Sequence, residues 1–488
     1  MKKRMISLFC SIAMLLSFSS CNNNTEAAPE ATTAVTSIKT ETTTTEATTT
    51  TAEATTEATT TTAETTTEAT TTTAETTTET TTATAETTTE TTTATAETTT
   101  EATTTTAETT TEAITTTAET TVATTTTETT TEKKQSEKKL SDMSTMEIVH
   151  DMGIGINLGN TYESCGDWIK QWGDGTPESY ETAWGSPVIT EKIIKGYADE
   201  GFGVLRVPVA WSNMMSDDYT ISERYADAVV EVVDWALKYD LYVIVNLHYD
   251  NGWMENFPTD KENCMKKYRR IWEQVSEIFK DYDERLIFES QNEELGWSSV
   301  WNPYGGTAGK SDSYALVNEI NQEFVDIVRS SGGNNKKRHL LIAGYNTNID
   351  YTSDPLYKMP EDPSGRCALS VHYYNPPTFA ILTEDASWGK AKPTWGSTAE
   401  KNELINYMDK LKKNFVDKGI PVIIGEYGCP TLNKDPESVR LFISSVCEEA
   451  YKRGMCPVLW SVTGEHYDRN SCQIIDRELA ELFRNVVE

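Results

Sequence analysis

Positive charge is scarce in this sequence. Lysine and arginine total 42 against 75 aspartates and glutamates, a formal net charge of −33. No basic stripe exists to neutralise phosphates, which argues against a nucleic-acid partner. Metal-type cysteine spacing is missing as well. Nine cysteines occur, none in a C-x-x-C pair, so the usual zinc frameworks are excluded. No G-x-G-x-x-G or P-loop turn follows an apolar run, which removes the fingerprints of dinucleotide and nucleotide binding. No G-x-S-x-G elbow is present, which sets aside a Ser/His/Asp hydrolase built on that turn. Beyond the N-terminus, no run is long and apolar enough to span a bilayer.

What is present falls into three parts. Residues 1–21 read as an export signal. Lys2, Lys3 and Arg4 precede the apolar run MISLFCSIAMLLSF, and Ser19, Ser20 and Cys21 follow. Phe18-Ser-Ser-Cys21 resembles a bacterial lipobox, so Cys21 is where a lipid anchor would sit. A freely secreted chain is the alternative. Either one implies an extracellular or cell-surface protein. Residues 22–144 are a tether. From 22 to 132 there are 19 acidic residues and one basic residue, Lys39. Glu53, Glu64, Glu75, Glu86, Glu97, Glu108 and Glu119 fall 11 apart. That period can mark a right-handed coiled coil, but only with an apolar seam. Threonine and alanine fill the intervals here, and burying so little cannot offset the entropy of ordering. The expectation is a disordered Thr/Glu-rich linker spread by self-repulsion.

From 145 to 488 the pattern alternates. Apolar, β-branched runs occur at 154–160, 204–211, 242–250, 285–294, 339–346, 368–376, 421–428 and 457–464. Helix-like stretches such as ERYADAVVEVVDWALKYD separate them. Strands alternating with helices predict right-handed crossovers and a parallel sheet. Near-continuous apolar strands fit a sheet buried on both faces. Eight such units predict an α/β fold, a (β/α)₈ TIM barrel. An open doubly wound sheet is the rival, weakened by the missing glycine-rich turn.

Each predicted strand begins apolar and ends polar. Strand C-termini face the mouth of such a barrel, where active sites are built. Glu293 ends the fourth run and Glu426 the seventh. Paired carboxylates of this kind act as acid/base and nucleophile on glycosidic bonds. Asn292 suits a sugar 2-OH. Arg206 and Tyr374 suit holding Glu426 ionised and oriented. His248 and His372 offer ring donors. Trp460, at the end of the eighth run, suits stacking on the apolar face of a sugar. Ten tryptophans, Trp168 and Trp172 among them, fall in strand ends or loops, while Trp235 and Trp272 sit on helical patterns. The plain alternative for each feature is structural: a rim ion pair for either glutamate, and packing for a loop tryptophan.

GINLGNTYES, ETAWGSPVITEKIIKGYADEGFGVLRVPVAW, VIVNLHYDNGW, LIFESQNE, SVHYYNPPTF and PVIIGEYG resemble glycoside hydrolase family 5. The closest likeness is to its subfamily 4 of bacterial endo-β-1,4-glucanases, over about 145–488. The resemblance implies a (β/α)₈ barrel and a retaining double displacement without metal or cofactor. It implies Glu293 as acid/base and Glu426 as nucleophile. Arg206, His248, Asn292, His372, Tyr374 and Trp460 would support them. The implied partner is a β-linked plant cell-wall polysaccharide, acted on by a monomer. Two departures stand out: Glu294 replaces the proline usual after the acid/base, and Tyr249 stands where the subfamily often has histidine. The same chemistry on xyloglucan, mixed-linkage glucan, mannan or xylan is the nearest alternative. A non-catalytic glycan-binding protein is the alternative of another class.

Overall fold

The computed structural model describes residues 139–487, Thr307 excepted. The expected signal, Cys21 and all of the expected tether before Lys139 lie outside these residues.

Eight parallel strands close into a barrel in sequence order. The described chain opens with helix α1 (Thr145–Asp151), whose Ser144 and Glu147 form a reciprocal capping box. Strand β1 (Gly155–Asn157) follows, then the short helices α2 (Asp167–Trp172) and α3 (Pro177–Glu181), and then α4 (Glu191–Asp199). Next come β2 (Val204–Val207), α5 (Glu223–Lys238), β3 (Tyr242–Asn246), α6 (Lys261–Ile278) and β4 (Leu286–Glu289). Helix α7 (Lys310–Ser330) leads to β5 (Leu340–Asn348), α8 (Ile349–Thr352), β6 (Cys367–Tyr373), α9 (Pro377–Ala380) and α10 (Thr398–Asn414). The barrel ends with β7 (Val422–Tyr427), α11 (Pro436–Tyr451) and β8 (Cys456–Leu459), which pairs with β1 to close it. A small antiparallel pair, β9 (Tyr467–Asp468) and β10 (Gln473–Ile474), precedes α12 (Arg477–Val487).

The two-residue period of a strand sorts the core. Val204, Tyr242, Ile244, Ile287, Leu341, Ile423 and Val458 fill the barrel floor. Ile148, Val149 and Met152, from α1 and the residue after it, seal that floor from below. Leu205, Val207, Val243, Val245, Leu286 and Phe288 face outward into the second cluster, against the helices. Helix α5 meets them with Tyr225, Ala226, Val229, Val232, Val233 and Ala236, one stripe at helical spacing. Inward positions one layer above the floor are polar. Arg206 follows Val204 on the inner face of β2, and Glu289 follows Ile287 on that of β4.

All strands except β5 are shorter than the sequence pattern suggests. Arg206, His372 and Glu426 lie within β2, β6 and β7, whereas His248, Asn292, Glu293, Tyr374 and Trp460 lie just beyond strand ends. Several still continue the ladder by one bond. His248 N donates to Val209 O at 2.9 Å, Asn292 N to Leu247 O at 3.0 Å, and Trp460 N to Tyr427 O at 2.8 Å. The backbone stays extended while its polar side chains turn into the mouth.

Candidate active site

The site is built outward from one buried guanidinium. Arg206 is fully buried and uses its planar fork in several directions. Its Nε donates to Glu289 Oε2 at 2.6 Å. Nη1 donates to Asn157 Oδ1 at 2.9 Å and to Glu426 Oε1 at 2.8 Å, and Nη2 donates to Asn292 Oδ1 at 2.9 Å. Burial alone would lower this guanidinium, but Glu289 and Glu426 hold it above its ordinary value. Glu289 is a member of the site that the sequence pattern hid inside an apolar run. Its other oxygen accepts from Ser370 Oγ at 2.6 Å.

Glu426 is almost fully buried, and Tyr374 OH donates to its second oxygen at 3.0 Å. Burial pushes this carboxyl above its ordinary value, while His372 and Arg206 pull it down. Sequence reasoning expected Arg206 to hold Glu426 low. Burial outweighs that pull, and Glu293 opposes it further. The Tyr374 phenol is itself raised well above its usual range by burial and by Glu426.

Glu293 faces the same space. His372 Nδ1 lies 2.7 Å from Glu293 Oε1 and 3.7 Å from Glu426 Oε2. Ligating atoms of Glu293, His372 and Glu426 all fall within 4.8 Å of one another. These three groups are near enough to share a divalent cation. Their existing bonds to Arg206, Tyr374 and each other suit a nucleophile and a proton donor equally well.

His248 forms the opposite wall with Trp460, their rings nearly parallel at 11° and 5.8 Å apart. Burial, with Arg206 and His372 adding to it, pushes His248 well below its ordinary value, so the ring is neutral. Asn246 Oδ1 accepts from Val209 N at 3.2 Å, which leaves its amide nitrogen as the donor 3.1 Å from His248 Nδ1. Nδ1 therefore accepts and the ring proton sits on Nε2. All eight residues singled out in the sequence converge on this mouth. His339 does not: its Nδ1 lies 2.9 Å from Thr145 Oγ1, beside the floor.

The Trp460 segment is locked from behind by Arg469, another contributor that the sequence pattern did not reveal. Arg469 Nη2 donates to Gly159 O at 2.7 Å and to Ser461 O at 3.4 Å, and Nη1 donates to Ser186 Oγ at 2.7 Å. A Cβ on Gly159 would lie 2.9 Å from Ser461 O and 3.1 Å from Trp460 Cζ2. Glycine there lets the indole lie against the β1 backbone.

Residues 169–466 match the profile described as Cellulase (glycosyl hydrolase family 5). The chain belongs to glycosyl hydrolase family 5. Among curated family 5 relatives, Endoglucanase A of Clostridium longisporum is 34% identical over 317 residues, 65% of this chain and 59% of that protein. The chain thus spans less than two thirds of that relative. Endoglucanase A of Ruminococcus albus is 34% identical over 347 residues, 68% of this chain and 90% of that protein. Among solved structures, a Bacteroides ovatus GH5 xyloglucanase in complex with a XXXG heptasaccharide superposes with a TM-score of 0.63. It is 29% identical, with 71% of this chain and 77% of that one covered.

The two departures from the family pattern fall side by side. Glu294 is buried, with Glu293, Asp250, Glu255 and Glu426 close enough to act on its charge. Burial first, then Glu293, Asp250 and Glu255, raise its carboxyl well above the usual range. This disfavours a second negative charge beside Glu293. Tyr249 is 42% exposed and close enough to feel the charge of Glu294.

Proposed function

We propose that this family 5 enzyme is a retaining endo-β-1,4-glucanase. The observation that carries the reading is the closeness of two carboxylates, Glu293 and Glu426, with one oxygen of each within 4.8 Å of the other. Retaining glycosidases hold this pair about 5–5.5 Å apart, and inverting ones about 6.5–9.5 Å, to leave room for water.

In the proposed reaction Glu426 attacks the anomeric carbon. Arg206 and Tyr374 fix its oxygens and favour its ionised form against the cost of burial. Glu293 gives its proton to the departing glycosidic oxygen, and a glycosyl-enzyme forms. Glu293 then takes a proton from water, which releases the sugar with its configuration retained. Arg206 occupies Asn292 Oδ1. This leaves the Asn292 amide nitrogen to donate to the sugar 2-OH, a bond that strengthens in the oxocarbenium-like transition state. Trp460, braced by His248, supplies a flat apolar face for the ring.

Curated relatives described as endoglucanases support β-1,4-glucan as the substrate. Xyloglucan is the second reading, supported by the likeness to the Bacteroides ovatus xyloglucanase. The basic and apolar N-terminus ending at Cys21 supports export. The test measures viscosity loss and reducing-sugar release on carboxymethyl-cellulose, beside proton NMR of the first-formed anomer. A steep viscosity drop with β-configured product is expected. Glu426→Gln should abolish turnover, and Glu293→Gln should lower it by about 10²–10⁴-fold. First-formed α-anomer, or full activity in Glu426→Gln, would overturn the reading.

A further inference from the structure

Two tryptophans outside the site stand in the loop that follows β1. Trp168 and Trp172 lie four residues apart on α2, so they share one face of it. Trp168 is 43% exposed and Trp172 79%, while Ile169 on the same helix is buried. Folding normally hides an indole, and a short helix that buries one isoleucine has no packing use for two exposed ones. Exposed large apolar side chains grouped in this way mark a binding surface.

One of these indoles has an orientation fixed by the backbone. A Cβ on Gly166 would lie 2.7 Å from Trp168 Nε1, so the ring rests where only glycine fits. Gly166 also takes φ 141°, a conformation that favours glycine. The loop that carries α2 adjoins a loop of the cleft. Cys165, beside Gly166, donates its thiol to Tyr249 O at 3.5 Å. Tyr249 is itself 42% exposed and directly follows His248, which stacks on Trp460. The loop that carries α2 thus packs against the loop that carries Tyr249 and, one residue before it, a wall of the site.

We propose that Trp168 and Trp172 form an outer platform for the β-glucan chain, gripping sugars beyond those held at the two carboxylates. This rests on the proposed activity and names where a long substrate would continue. The occupant is a neutral polysaccharide with apolar C–H faces. Such a chain suits paired indoles and is not repelled by a protein of net charge −33. A platform outside the catalytic mouth favours long chains over short ones.

The test compares the full chain with its Trp168→Ala/Trp172→Ala variant. One readout is the ratio of kcat/KM on hydroxyethyl cellulose to kcat/KM on cellotetraose. The other is retardation in a native gel containing hydroxyethyl cellulose. The ratio should fall roughly tenfold, retardation should weaken, and Trp172→Phe should recover part of both. An unchanged ratio with unchanged retardation would overturn the platform. A parallel fall on polymer and tetraose would also overturn it, because the indoles would then be structural. Retardation needs no turnover, so it reads the platform even if the wild-type chain cleaves neither glucan and the proposed activity fails.

Discussion

Arg206 and Glu289 meet as a fully buried ion pair, Nε to Oε2 at 2.6 Å, with neither side chain reaching solvent. Glu289 lies beneath the mouth and touches no substrate-facing group except through this guanidinium. It therefore sets how much of the Arg206 charge reaches Glu426.

Glu289→Gln should be costly for that reason. Breaking a buried pair from one side destabilises by about 3–5 kcal/mol. Denaturant unfolding should show a loss near that range, and turnover should fall as Arg206 shifts. A stability within about 0.5 kcal/mol of wild type, the usual effect of a neutral surface change, would refute the role given to Glu289.

Tyr374→Phe removes one hydrogen bond to Glu426 and little else. A bond to a charged group contributes about 1.5–3 kcal/mol, so kcat should drop about 10- to 100-fold. KM should move little, since the phenol acts on the nucleophile. Steady-state kinetics on a soluble glucan would decide, and an unchanged kcat would remove Tyr374 from the mechanism.

Gly159→Ala tests the support behind Trp460. The added methyl would meet Ser461 O at 2.9 Å and Trp460 Cζ2 at 3.1 Å. Overpacking of this kind costs about 1–3 kcal/mol. The expected result is a higher KM, a smaller change in kcat and altered tryptophan fluorescence. Wild-type values for all three would mean the indole has room to spare.

Glu163 gives a pH dependence with a definite sign. Burial pushes its carboxyl from 4.5 up to about 7, despite the backbone N–H bonds from Thr161 and Asn160. The folded protein therefore holds this proton more tightly than the unfolded chain. The stability it contributes is full below pH 4.5 and is lost as pH rises to about 7. Melting temperatures from pH 4 to 8 should show Glu163→Gln gaining on the wild type across that window. Parallel curves would contradict the raised carboxyl.

The barrel was legible in the sequence because parallel strands buried on both faces leave unbroken apolar runs. Eight such runs proved to be the eight strands. Their ends were overdrawn because His248, Asn292 and Trp460 stay extended for one more hydrogen bond after the ladder stops. Glu293 and Glu426 stood out as acids closing apolar runs. Glu289 did not, although it sits two residues after Ile287 on the same inward face, the relation Arg206 bears to Val204. Arg469 did not stand out, because two of the partners that fix it, Gly159 and Ser186, are 310 and 283 residues away in the chain. The fate of Glu294 needed the fold, because Asp250 and Glu255, which act on it, lie about forty residues earlier in the chain.

Helix α1 seals the floor, and a Cβ on Gly153, just after it, would touch Val487 of α12 at 3.4 Å. The residue that follows α1 and the end of α12 therefore lie side by side. A barrel with that geometry can be moored by either end without blocking its mouth. Joining the two ends and opening new ones in a floor loop would give a permuted barrel with the same face toward its substrate.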